Sequence, residues 1–298
     1  MPGALIDVHA HFFHKGGPRA DWAERNASRL RAGARIGITC HVASILGSWG
    51  RTSPTYFPSA EDVTVGNRAL LELIAEHGAD GLIRGYACVN PNYTAHALAE
   101  IERCLAGGGG RGTGAPGGGA GRGGRMIGIK LAASRRADDP LLDPICDAAR
   151  RHRVPVLQHV WQHRRKEWPG QEASDAVELG RLARRHPEVA FILAHIGGGG
   201  DWLHSLQAVR PLANVHVDLS GSGVDGGMLE ACVDTVGAGR LLWGADITLD
   251  TGWAKLRYLE LLLPADQLEG VRWRNAAAIF PEGSFTAPAE TPVKRKPR

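Results

Sequence analysis

ALIDVHAH, residues 4–11, is the stretch on which the reading of the whole chain turns. Leu5, Ile6 and Val8 form a short apolar run with a β-branched bias. It stops within a few residues at polar positions, which fits a buried strand better than a helix. Side chains two apart on a strand share a face. His9 and His11 therefore aim at one point from Cα positions roughly 6–7 Å apart, a separation that a metal ion bridges. An HxH pair is weak by itself, because ordinary histidines also fall at this spacing. Its weight depends on whether the rest of the chain supplies further ligands.

Outward from this stretch, short apolar runs alternate with helical patterns. Asp21 to Arg31 has helical composition, and a second strand reads RIGITCHVASIL, Arg35 to Leu46. A turn-rich loop with Trp49 and Tyr56 leads to a helix over Glu61 to His77, with Gly78 as its C-cap. Strand three is expected over Leu82 to Pro91, and Thr94 caps a helix reaching Leu105. Strand four covers Met126 to Ala133, followed by a helix over Asp139 to Arg153. Strands five and six run Val154 to Val160 and Val189 to Gly198, with a helix over Ala173 to Arg185 between them. Asp201 caps the next helix, which ends near Val209; strand seven spans Asn214 to Gly221 and a helix Met228 to Val236. Strand eight spans Arg240 to Ile247, and helical stretches at Trp253 to Leu263 and Asp266 to Phe280 follow.

Strict β/α alternation implies a parallel sheet with right-handed crossovers. Eight such units in roughly 280 residues suit one closed α/β domain, a (β/α)8 TIM barrel over residues 1–280. An open doubly wound sheet also alternates, but places its site at a strand-order reversal. Gly107 to Arg125 is mostly glycine, with Arg111, Arg122 and Arg125, and is expected to be a disordered surface loop. It lacks the lysine and hydroxyl residue of a phosphate cradle, and its single Arg-Gly-Gly is a poor RNA signal. Residues 281–298, Pro-rich and ending KRKPR, read as a disordered basic tail; a nuclear-import reading of it rests on charge alone.

The net charge of +4 over 298 residues is small, and the arginines fall on helix faces, so no nucleic-acid stripe is read. No apolar run reaches membrane-spanning length, and the N-terminus lacks a secretory pattern. Five widely spaced cysteines without a CxxC read as buried thiols in a reducing compartment, hence a cytoplasmic protein.

The ends of the expected strands choose between the two sheets. Strand one ends in His9 and His11, strand five in His159, strand six in His195 and strand eight in Asp246. Each has a bland alternative: a satisfied core histidine, a turn residue, a helix N-cap. Five such coincidences at one end of a barrel are better explained by one metal site at the C-terminal mouth. Nitrogen and carboxylate ligands suit Zn²⁺ above all, with Mn²⁺, Fe²⁺ and Ni²⁺ as alternatives.

The motifs carrying these residues resemble the amidohydrolase superfamily, in its amidohydrolase-related ("amidohydrolase 2") branch, which includes aminocarboxymuconate-semialdehyde decarboxylase and related aromatic-acid decarboxylases. They are IDVHAHFF at Ile6–Phe13, GIKLAA at Gly128–Ala133, PVLQHVW at Pro155–Trp161, ILAHIGGGG at Ile192–Gly200, VHVDLSG at Val215–Gly221, LLWGADI at Leu241–Ile247 and NAAAIF at Asn275–Phe280. The resemblance implies one divalent ion held by His9, His11, His159 and Asp246, with Asp246 and His195 catalytic. In binuclear relatives His195 would hold a second ion together with a carboxylated lysine, and Lys130 occupies the matching strand. A salt bridge or a substrate contact is the alternative for Lys130. The implied reaction is metal-assisted hydrolysis of an amide, lactone or ester-like carbonyl of a small molecule. Decarboxylation of an unsaturated or aromatic acid is the alternative, and a catalytically inactive metal-binding barrel the third reading. Trp49, Tyr56, Trp161, His163 and Ser220 are candidates to line the pocket; His14, His41, Asn90 and Asp218 carry less weight. By analogy with such barrels a homodimer is expected.

Overall fold

The computed structural model describes residues 3–45, 53–77, 81–105, 126–160, 174–196, 201–221, 223 and 225–285. Its strands are β1 (Ile6–His11), β2 (Cys40–Ser44), β3 (Ile83–Val89), β4 (Met126–Leu131), β5 (Val156–Gln158), β6 (Phe191–Leu193), β7 (Val215–Asp218) and β8 (Leu241–Leu242). Each is hydrogen-bonded in parallel to the next, in the order β1 to β8. Closure comes from the chain around β8. Val8 N–H donates to Trp243 O at 3.1 Å, Asp246 N–H donates to His9 O at 2.6 Å, and Ala10 bridges to Asp246. The architecture is the (β/α)8 barrel expected from the alternation.

The helices are α1 (Trp22–Ile36), α2 (Ala60–Glu76), α3 (Thr94–Leu105), α4 (Asp143–His152), α5 (Ala176–Arg185), α6 (Trp202–Val209), α7 (Met228–Val236), α8 (Leu249–Leu262), α9 (Ala265–Glu269) and α10 (Asn275–Ile279). Their limits follow local chemistry. Ser59 Oγ accepts from Asp62 N–H to start α2, and Asp175 with Glu178 forms a capping box on α5. Asp201 precedes α6 without a side-chain cap, and Asn90 rather than Thr94 caps the short turn leading into α3.

Several boundaries differ from the sequence expectation. Arg35 and Ile36 belong to α1 rather than β2, because Gly37 at φ +87° ends that helix in the left-handed conformation. The stretch after α9 winds through one π turn, Gly270–Arg274, rather than one straight helix. Of the expected disordered tail, residues 281–285 are packed: Arg84 Nε donates to Ser284 O, and the Phe285 ring lies 5.4 Å from that of Phe280. The remaining tail and the glycine loop at 107–125 lie outside the described residues.

Most apolar burial falls into two layers, beside a small third cluster of Cys88 and Ala132. The larger joins outward strand residues such as Ala43, Ile129 and Phe191 to helix residues such as Leu70, Ile101 and Leu179. The smaller fills the barrel floor with Ile6, Val8, Val42, Tyr86, Leu157, Ile192 and Leu242, sealed by Ala276 and Phe280 from the C-terminal end. Tyr86 fits there because Gly128 has no side chain; a Cβ would lie 2.5 Å from its ring. Above this floor the interior turns polar, at Lys130, His9, His11 and Asp218, all buried.

Candidate metal centre

A bulge re-aims β1. Asp7 pairs with His41 and Ala10 with Ala43, so β1 advances three residues while β2 advances two. Val8 and His9, adjacent in sequence, both serve the interior: Val8 in the floor, His9 among the polar groups above it. Asp7 is left facing α1. His11 remains two residues beyond His9 and shares its direction.

Both imidazoles are oriented from behind. His9 Nδ1 lies 2.6 Å from Asp218 Oδ2 and 3.0 Å from Ser220 Oγ. His11 Nδ1 lies 3.1 Å from Ser44 O. A carbonyl only accepts, so the His11 proton sits on Nδ1, and the Asp218 carboxylate places the His9 proton likewise. The two Nε2 lone pairs then face each other at 3.1 Å, and Asp246 Oδ1 stands 3.2 Å from His11 Nε2. Bonds of about 2.05 Å to a tetrahedral ion put ligand atoms about 3.3 Å apart, so these three atoms fit one cation. Lys130 Nζ, 2.6 Å from His9 Nε2, borders the same point.

His9, Asp218 and His195 also cluster. There the 2.6 Å contact of His9 with Asp218 leaves no room for an ion between the two atoms. Asp218 is instead a hydrogen-bond partner of His9, and Ser220 N–H and Oγ both donate to it.

His195 and Asp246 stand just beyond β6 and β8 with φ of +63° and +53°. His195 Nδ1 is 3.5 Å from Asp246 Oδ2, and its Nε2 is 2.8 Å from His159 Nδ1. His159 thus reaches the cluster through His195; it is not in the tight His9, His11 and Asp246 group. The Tyr56 ring stacks 4.8 Å from that of His159. Ser220 is fully buried and bonded to Asp218 and His9, which makes it a support of the site rather than pocket lining. Trp49, Trp161 and His163 lie outside the described residues.

Burial dominates the electrostatics. It pushes His9 and His159 well below the ordinary imidazole range, His11 below it, and His195 down to about 3. All four are therefore neutral at pH 7, the form in which an imidazole can ligate a metal. Burial also pushes Lys130 down to about 8. For Asp246 burial acts upward, but the proximity of His195 and His11 outweighs it and holds the carboxyl below the ordinary carboxylate range.

The structure adds residues that the sequence reading undervalued or missed. Asp218 is the support of His9, and its position at the end of a strand, in VHVDLS, was the available signal. Asp7, two before His9, was not singled out. It accepts from Arg29 Nη2 (2.7 Å), His41 Nδ1 (2.9 Å), Ala245 N–H (2.9 Å) and His9 N–H (3.2 Å). His41, given little weight, is a buried partner of Asp7. All five cysteines are buried, and none is in a disulfide. Among the described residues no helix is long and apolar enough to cross a membrane.

Comparison with known proteins identifies the family and the fold. A family model described as amidohydrolase matches residues 6–281. No curated protein sequence matches the chain. Among solved structures, 5-carboxyvanillate decarboxylase from Sphingomonas paucimobilis is 17% identical, with 93% of this chain and 98% of that one covered at a TM-score of 0.64. A dihydroxybenzoic acid decarboxylase from Polaromonas sp., with bound manganese and the inhibitor 2-nitroresorcinol, is 16% identical, with 93% and 97% covered at 0.66. The 2,6-dihydroxybenzoate decarboxylase from Rhizobium is 15% identical, with 94% and 98% covered at 0.65. At these identities the likeness establishes the barrel, not the reaction.

Proposed function

The chain belongs to the amidohydrolase family, and from that premise we propose that it is a metal-dependent hydrolase acting on an amide, lactone or ester-like carbonyl of a small molecule. The observation carrying this is the convergence of His9 Nε2, His11 Nε2 and Asp246 Oδ1 at spacings a single cation fits. His159 completes the set as a fourth ligand on the substrate side. Zn²⁺ suits these nitrogen and carboxylate donors best, with Mn²⁺, Fe²⁺ and Ni²⁺ as alternatives. Such an ion, when bound, supplies Lewis acidity that lowers the pKa of water from 15.7 towards about 7.

The chain's own groups then handle protons. Asp246, ionised, takes the proton of the attacking water and returns it to the leaving group. His195, 3.5 Å from Asp246 Oδ2, hydrogen-bonds the attacked carbonyl and steadies its developing charge. Tyr56 walls the substrate side over His159. Lys130 is a contact for substrate, or the ligand of a second ion together with His195.

Decarboxylation of an unsaturated or aromatic acid is the second reading. The chemistry named for the structural neighbours favours it, and Lys130 would hold the carboxylate. Five buried cysteines outside any disulfide favour a reducing, cytoplasmic setting, and a homodimer is expected by analogy. The two reactions separate in one assay. Metal-loaded protein is screened on ester, lactone and amide substrates in ¹⁸O-water and on aromatic acids with CO₂ detection. Label in the product carboxylate supports hydrolysis; CO₂ release without label replaces it with the carboxy-lyase.

A further inference from the structure

Asp246 holds a backbone conformation, φ +53°, that residues with a side chain rarely adopt. Such a conformation persists only where the surroundings over-determine it. Three bonds do so. Asp246 N–H donates to His9 O at 2.6 Å, and the preceding Ala245 N–H donates to Asp7 Oδ1 at 2.9 Å. From the other side Arg29 Nη1 donates to Asp246 O at 2.6 Å, while Nη2 of the same guanidinium donates to Asp7 Oδ2 at 2.7 Å. Asp7 is fully buried, and the Arg29 side chain is 8% exposed. One planar fork thus joins α1, the bulged β1 and the turn after β8.

We propose that Arg29, acting through Asp7, is a positioning residue of the metal centre. It fixes the peptide of Asp246 so that the carboxylate faces His11. The guanidinium suits this task because its two nitrogens serve a carboxylate and a carbonyl at once in fixed directions, which an ammonium does not. Arg29 donates to the backbone carbonyl of Asp246 rather than to its carboxylate, and it lines a cavity of about 220 Å³ between α1 and the start of α8, with His11, Asn26, Ile247 and Leu249. This inference rests on the reading of Asp246 as a metal ligand.

The test is Mn²⁺ affinity of the metal-free full-length chain, read as free Mn²⁺ by electron paramagnetic resonance. Melting of each metal-free variant is measured alongside. Arg29→Ala is expected to bind Mn²⁺ about 10–100-fold more weakly, and added guanidinium ion, entering through the cavity, to restore most of the loss. Arg29→Lys keeps a charge beside Asp7 and is expected to fold but still bind more weakly; it decides the matter if Arg29→Ala does not fold. A folded Arg29→Lys with wild-type Mn²⁺ affinity would overturn the proposal, as would an Arg29→Ala defect that guanidinium leaves unchanged. Asp246→Asn separates the two layers. If it binds Mn²⁺ as the wild type does, the assignment of the ligand fails. If it loses Mn²⁺ while Arg29→Lys does not, only the role of Arg29 fails.

Discussion

Asp218 Oδ2 accepts a hydrogen bond from His9 Nδ1 at 2.6 Å across 209 residues of sequence. That contact selects which nitrogen of His9 faces the centre. The turn after β8 makes room for it: a Cβ at Gly244 would lie 2.5 Å from Asp218 Oδ1 and 3.0 Å from His9 Cβ. Asp218→Asn and Gly244→Ala are therefore expected to weaken metal affinity by about 10–100-fold with the barrel intact. Metal titration together with circular dichroism checks this. Unchanged affinity in both would show that the His9 tautomer is set elsewhere.

His195 and His159 are in contact, at 2.8 Å, yet are expected to differ in effect. His195→Asn should keep its metal and lose about 10²–10⁴-fold in turnover, the usual scale for an acid–base group. His159→Asn should lose metal. Elemental analysis with steady-state kinetics on a confirmed substrate distinguishes them; equal metal content in both variants would remove His159 from the ligand set.

Lys255 on α8 is buried, and its three ammonium protons meet three acceptors, the carbonyls of Leu219 (2.9 Å), Ser220 (3.2 Å) and Gly221 (2.9 Å). This ties the end of β7, and with it Ser220, to α8. Lys255→Met fills similar space but strands those carbonyls, at a cost of about 2–4 kcal/mol. Urea denaturation reads this directly. A midpoint equal to that of the wild type would mean that other donors or water replace the ammonium.

His216 lies on β7, its Nδ1 buried without a hydrogen-bond partner among the described residues. Burial, reinforced by Arg240, pushes its pKa down to about 4. The unfolded chain, with the ordinary value near 6.5, then binds more protons than the folded one between about pH 6.5 and 4. Stability is therefore lost as pH falls through that window, by up to about 1.4 kcal/mol per pH unit from this residue. His216→Gln should flatten the dependence there and change little above pH 7. Denaturant midpoints at pH 7, 6 and 5 test it; parallel curves for the two proteins would refute it.

Much of this architecture was legible because its signals are local. Apolar runs of strand length, alternating with helical patterns, announce a parallel barrel, and the polar residue closing each run marks the mouth. The reading of Arg35 and Ile36 as strand failed because a β-branched pair at a helix end looks like the start of a strand until Gly37 is seen to turn left-handed. Phe285 was assigned to a disordered tail because composition cannot report a ring packed on Phe280.

Sequence alone determined the (β/α)8 class and the histidines and aspartate at the strand ends, since these depend on the two-residue and 3.6-residue periods of single elements. Only the tertiary structure decided which atoms of those residues meet. The bulge at Val8 and His9 turns His9 inward, and Asp218 and Ser44 choose its and His11's facing nitrogens. Arg29 with Asp7 holds Asp246 in an uncommon conformation. Each of these is a hydrogen bond or register shift between strands and helices distant in sequence. Its geometry is set by the closure of the barrel, which no local pattern encodes.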